Sequence, residues 1–141
     1  MTWVELVTTV CGVFMTPGLD THIKDVSEKY NVDKEVVLGV IHQESRCHTK
    51  AIGAAGEIGL MQISPVWHTK RAQDLGAENL LDPYSNILVG VDILSELNVS
   101  NNPKLALSIY NGGYKYPKVS ETYAENVISK SEFFKLKLVE S

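Results

Sequence analysis

Apolar residues recur at intervals of three and four along most of the chain, the spacing of one face of an α-helix. Trp3, Val7, Val10 and Phe14 share such a face. Thr2-Trp3-Val4-Glu5 opens it as a capping box, in which Thr2 bonds the third helical amide and Glu5 reaches back. Thr16-Pro17-Gly18 stops this first helix. Asp20 stands where it can cap a second helix, with Ile23, Val26 and Tyr30 inward. Asp33 stands likewise before a third, running from Lys34 to about Cys47.

The period then breaks. Residues 51–63, Ala-Ile-Gly-Ala-Ala-Gly-Glu-Ile-Gly-Leu-Met-Gln-Ile, contain three glycines and read as short strands or an irregular loop. Beyond them one device starts three helices: Ser64-Pro65, Asp82-Pro83 and Asn102-Pro103 each set a capping side chain before a proline whose missing N–H costs nothing there. The helix after Asp82 turns Ile87, Val91 and Leu94 inward, and the one after Asn102 ends at Asn111-Gly112-Gly113. A last helix, from Ser120, carries Tyr123, Val127 and Ile128. The pattern predicts one mainly α domain with a small Gly-rich β or loop element.

Composition narrows the class. With 141 residues the chain can bury a core, and 44% hydrophobic against 21% charged residues is a globular balance. Its net charge of −4, from 13 basic and 17 acidic residues, argues against a nucleic-acid surface. A neutral sugar remains an acceptable ligand. Cys11 and Cys47 are read as two free thiols, since a domain of this size needs no staple. No stretch is long enough to span a bilayer. The apolar run from Leu6 to Met15 is preceded by Glu5 and lacks the basic start of a secretory signal, so another delivery route is expected if the target lies outside the cell. Nothing in the sequence assigns an oligomeric state.

Three places can carry chemistry. Glu44 follows Val37, Val40 and Ile41 by seven, four and three residues, so helical geometry sets its carboxyl on their apolar face. Burial and the negative end of the helix dipole both raise its pKa, which suits a general acid near neutral pH. A structural Glu bonded to backbone amides or an arginine fits the same spacing. Gly59-Leu60-Met61-Gln62-Ile63 offers close backbone approach and, in Gln62, both a donor and an acceptor. A core strand with one polar side chain reads equally well. Tyr110-Asn111-Gly112-Gly113 frees Asn111 at a helix end, as any glycine C-cap would. The histidines build no metal site: His42 and His48 fall on different faces, and His22 and His68 are read as solvated. Neither Ser45 nor Cys47 has the surroundings of a nucleophile.

Taken in order, Glu44-Ser45, Gly59-Leu60-Met61-Gln62, Tyr110-Asn111-Gly112-Gly113 and Tyr123 with Val127 resemble the soluble lytic transglycosylase domain, a relative of goose-type lysozyme. The resemblance runs from about residue 20 to 130 and leaves the first 19 residues outside as an extra packing helix, with 20–141 as the domain. It implies a lysozyme-like α+β fold with no cofactor. It makes Glu44 the acid and then the base that cleaves the MurNAc–GlcNAc β-1,4 bond of peptidoglycan and closes a 1,6-anhydro ring. Ser45 would shape the surroundings of Glu44. Met61 and Gln62 would line the cleft, Tyr110 and Asn111 would meet substrate at their turn, and Tyr123 would bond Glu44. The pattern departs before Tyr123, where Val119 and Ser120 replace the usual Glu-Thr. A hydrolase would need a second carboxylate, for which Glu57 is the first candidate and Asp82 the second. A third possibility is a wall-binding module without activity. A wall-acting protein of this size would suit a bacteriophage or a secretion system.

Overall fold

The computed structural model describes residues 1–115 and 117–139. Its elements in order are α1 (Trp3–Cys11), a 3-10 turn (Gly12–Phe14), α2 (Leu19–Tyr30), α3 (Lys34–Ser45), α4 (Pro65–Asp74), α5 (Pro83–Glu96), α6 (Pro103–Gly112), a second 3-10 turn (Pro117–Ser120) and α7 (Glu121–Val139). Between α3 and α4 the chain makes only the antiparallel bridges Ile52–Ile58 and Ile58–Ile63 among the described residues. The fold is mainly helical and has one domain, with the β element reduced to these bridges.

Packing explains the arrangement. From Asn86 to Leu94 of α5 every residue but Asp92 is buried, so the helix is apolar almost all round and sits in the core. It packs on α2. On the other side α3 buries Val36 to Ile41 and lies along α7. Gly39 permits this approach, since a Cβ there would stand 3.2 Å from the Val127 carbonyl. α6 also packs on α7, which closes the bundle around Leu107, Ala124 and Val127.

The capping box of α1 forms as expected. The helix buries Leu6 and Val7, and the Trp3 indole N–H donates to the Asp20 carbonyl at 2.8 Å. Phe14 departs from the expected stripe: it lies in the 3-10 turn, largely exposed, with its ring 4.7 Å from that of His48. Asp20 does not cap α2, because the helix begins at Leu19 after Gly18 in the left-handed region, leaving Asp20 inside the first turn. α3 stops at Ser45, two residues short of Cys47, because Arg46 and Cys47 both take positive φ. Asp33, Ser64 and Asn102 hold their N-cap positions without a side-chain bond to a helix amide, while Asp82 does accept from the Ser85 amide. Ser120 ends a 3-10 turn rather than starting α7. His22 and His68 are not free in solvent: His22 packs edge-on against Tyr84, and His68 accepts from Arg71 Nε at 3.4 Å.

The cysteines overturn the free-thiol expectation. Cys11 and Cys47 form a disulfide with Cα atoms 5.4 Å apart, tying the end of α1 to the residue beyond the α3 C-cap. Composition could not show this, because the pairing depends on α1 folding back over α3. Both residues are buried. A cross-link spanning 36 residues narrows the unfolded ensemble, so Cys11→Ser, or reduction, is expected to cost about 3 kcal/mol of unfolding free energy. Denaturant titration with and without reductant measures this; coincident curves would show that the bond adds nothing.

Candidate active site

Glu44 lies in the last turn of α3, half-buried, beyond the wholly buried Val37, Val40 and Ile41. The Tyr123 hydroxyl of α7 donates to its Oε2 at 3.0 Å. Burial pushes the Glu44 carboxyl from 4.5 up to about 7; the Tyr123 bond opposes this and the charge of Glu57 adds to it. A carboxyl poised there can give a proton to an oxygen and take one back near neutral pH. Burial, followed by the Glu44 charge, raises the Tyr123 and Tyr110 phenols well above their ordinary range, so both stay neutral donors.

The 58–63 segment is tied to α3 beside this carboxyl and is held from three sides. Ser45 Oγ, next to Glu44, donates to the Leu60 carbonyl at 2.7 Å. Tyr110 of α6 donates to the Met61 carbonyl at 2.6 Å. Asn86 of α5 accepts from the Met61 amide at 2.8 Å and donates to the Ile58 and Leu80 carbonyls at 2.9 and 2.8 Å. Gly59 is required here, with φ +76° and a Cβ position only 2.4 Å from Asn86 Nδ2. Asn86 was not singled out from the sequence. Its signal was a polar residue on the same helix face as Val89, Gly90 and Ile93, all buried.

Several residues fall differently from the expectation. The Met61 side chain does not line a cleft: it is fully buried, against Gly90 of α5, and so positions the loop instead of meeting a ligand. Gln62 adopts φ 52° and donates to the Ala51 and Gly59 carbonyls at 3.1 and 3.0 Å. Its amide nitrogen therefore serves the loop, which leaves the oxygen to accept. Tyr110 is half-buried with its hydroxyl engaged, whereas Asn111 is exposed at the end of α6. Glu57 accepts from the Ala55 amide at 2.8 Å, and Asp82 is committed to capping α5. Gln62 and Glu57 both converge on Gly53, where a Cβ would stand 2.5 Å from one side-chain oxygen and 2.9 Å from the other.

Comparison with known proteins identifies the family and the fold. The family described as transglycosylase SLT domain matches residues 21–132, leaving α1 outside. A transglycosylase of Enterobacteria phage PRD1 is 36% identical over 88 residues, which is 62% of this chain and 32% of the relative. Membrane-bound lytic murein transglycosylase C of Salmonella arizonae is 30% identical over 107 residues, 64% of this chain and 30% of the relative. The chain thus spans about a third of the length of these relatives. Among solved structures, an inactive mutant of lytic transglycosylase Slt from Pseudomonas aeruginosa superposes with a TM-score of 0.74 at 20% identity, over 84% of this chain and 24% of that one. The 70 kDa soluble lytic transglycosylase of Escherichia coli does so with the same TM-score at 19% identity, over 84% of this chain and 24% of its own. With residues 21–132 matched, most of its length, the chain belongs to the transglycosylase SLT domain family.

Proposed function

We propose that this protein cleaves the MurNAc–GlcNAc β-1,4 bond of peptidoglycan as a lytic transglycosylase. The observation that carries the reading is the Glu44 carboxyl, held by Tyr123 and raised to about 7. It protonates the bridging oxygen as the bond breaks. The positive charge left on the MurNAc ring is stabilised by that sugar's own acetamido oxygen. Glu44, now ionised, takes the proton of the 6-hydroxyl, whose oxygen closes the 1,6-anhydro ring. No water enters and no cofactor is needed. Asn111 and the Gln62 oxygen are the polar groups left to meet sugar hydroxyls.

The competing reading, hydrolysis, draws on one observation: the charge of Glu57 is felt at Glu44. Against it, Glu57 is tied to the Ala55 amide within its own loop. Mass spectrometry of digested peptidoglycan separates the two, because an anhydro end is one water lighter than a reducing end. Anhydro products from the first time point are expected, with Glu57→Gln keeping most of the activity. Reducing ends from the start, together with loss of activity in Glu57→Gln, would replace the transglycosylase by a hydrolase using that carboxylate.

Its site of action is the cell wall. The buried disulfide supports this, since such bonds form and persist in oxidising surroundings such as the periplasm or the cell exterior. No described helix is long and apolar enough to cross a membrane. The likeness to a phage transglycosylase supports a wall-opening role of the kind a virus needs.

A further inference from the structure

Three basic side chains gather along the seam of α3 and α7, at the end nearer Glu44. Lys130 Nζ lies 2.9 Å from His42 Nδ1 and 2.8 Å from Gln43 Oε1. Arg46, exposed at the α3 C-cap, adds its charge to both: burial, then Lys130 and Arg46, lower the His42 pKa, and burial, then Arg46, lower that of Lys130.

The hydrogen-bond logic fixes what this cluster offers. An ammonium has only donors, so His42 Nδ1 must accept and the neutral ring carries its proton on Nε2. The Nε2–H, the remaining ammonium protons and the Arg46 guanidinium are donors only. Elsewhere Lys24, Lys34, Lys70, Arg71, Lys104 and Lys135 each hold a carboxylate, whereas Lys29, Lys50 and Lys118 are without one among the described residues; what sets the present cluster apart is that its cations lie together. Among the described residues, no carboxylate lies within ion-pair distance of Arg46 or Lys130. Keeping like charges together without a counter-ion costs free energy, and in a chain of net charge −4 there are acids enough to have supplied one.

We propose that His42, Arg46 and Lys130 form a carboxylate-binding subsite that takes the acidic groups of the peptide stems carried by the glycan strand. This rests on the peptidoglycan reading above. In an intact wall the lactyl acid of MurNAc is already an amide, so the free carboxylates belong to the peptides. The subsite would favour peptide-bearing strands and seat them with a glycosidic oxygen toward Glu44.

The test compares two suspensions of the same purified sacculi, one untreated and one with its carboxyls converted to amides by carbodiimide and ammonia. For the wild type, KM for clearing is expected to rise roughly ten-fold on the amidated wall, the loss of a charge-assisted contact. Arg46→Asn and Lys130→Met should show that higher KM on both suspensions, with melting temperatures near wild type. Asn suits the left-handed backbone at position 46, and Met keeps the aliphatic stem of Lys130. Equal wild-type KM on the two walls would overturn the subsite while leaving the enzyme intact. Variants whose KM still rises on amidation would overturn the assignment to these residues. A wild type that clears neither suspension would overturn the transglycosylase reading and this one with it.

Discussion

Glu44→Gln is expected to fold and to clear peptidoglycan about 10²- to 10⁴-fold more slowly than the wild type, the usual worth of a positioned acid–base group. The amide keeps the shape of the carboxyl and can still accept from Tyr123, but it has no proton to transfer. The pKa of about 7 adds a pH signature. Wild-type activity should fall as pH rises through that value, because the first step needs the protonated acid, and the residual activity of Glu44→Gln should lack that limb. Stability follows the same group with a definite sign. Its folded pKa lies above the unfolded 4.5, so the folded state binds the extra proton. That contribution is complete below pH 4.5 and is lost as pH rises through about 7. Glu44→Gln, which cannot ionise, should therefore gain on the wild type above pH 7, by on the order of 2–4 kcal/mol. Thermal melts at pH 5 and pH 8 read this directly. A variant that clears walls at the wild-type rate would remove Glu44 from the chemistry.

How much of this was legible beforehand differs by kind of signal. The helical period located every long helix, because an amphipathic stripe is written in consecutive residues. It also aimed Glu44 correctly: Val37, Val40 and Ile41 are buried where it predicts. Helix ends were less legible. Gly18, Arg46 and Cys47 adopt left-handed backbone that local propensity does not announce, so α2 and α3 begin and end away from their expected residues. Contacts between distant segments were least legible. The Cys11–Cys47 bond depends on how α1 packs across α3, and the role of Met61 depends on the room left by Gly90. The ordered motifs identified the domain, but they did not distinguish residues that face solvent from those that hold the loop.

The clearest case is Asn86, where a change of one atom should have the second large effect. Its side chain spends two bonds on the 58–63 segment, accepting from the Met61 amide and donating to the Ile58 carbonyl, and a third on the Leu80 carbonyl before α5. It is 1% exposed, so water cannot replace a lost partner. Asn86→Asp keeps the shape and removes both donors, turning a carboxylate toward two carbonyl oxygens. Leaving buried acceptors unpaired beside an uncompensated charge costs about 3–5 kcal/mol, which for a domain of this size lowers the melting temperature by roughly 10 °C or more. Burial favours the neutral acid, which restores one donor, so the deficit should shrink as pH falls. Activity should drop further than unfolding alone accounts for, because the loop bonded to Ser45, the neighbour of Glu44, loses its anchor on α5 while Ser45 and Tyr110 still hold it from the other sides. Melting curves across pH, paired with wall-clearing rates at a temperature where the variant remains folded, separate the two effects. An Asn86→Asp protein with the wild-type melting temperature would show that the loop stands without this anchor.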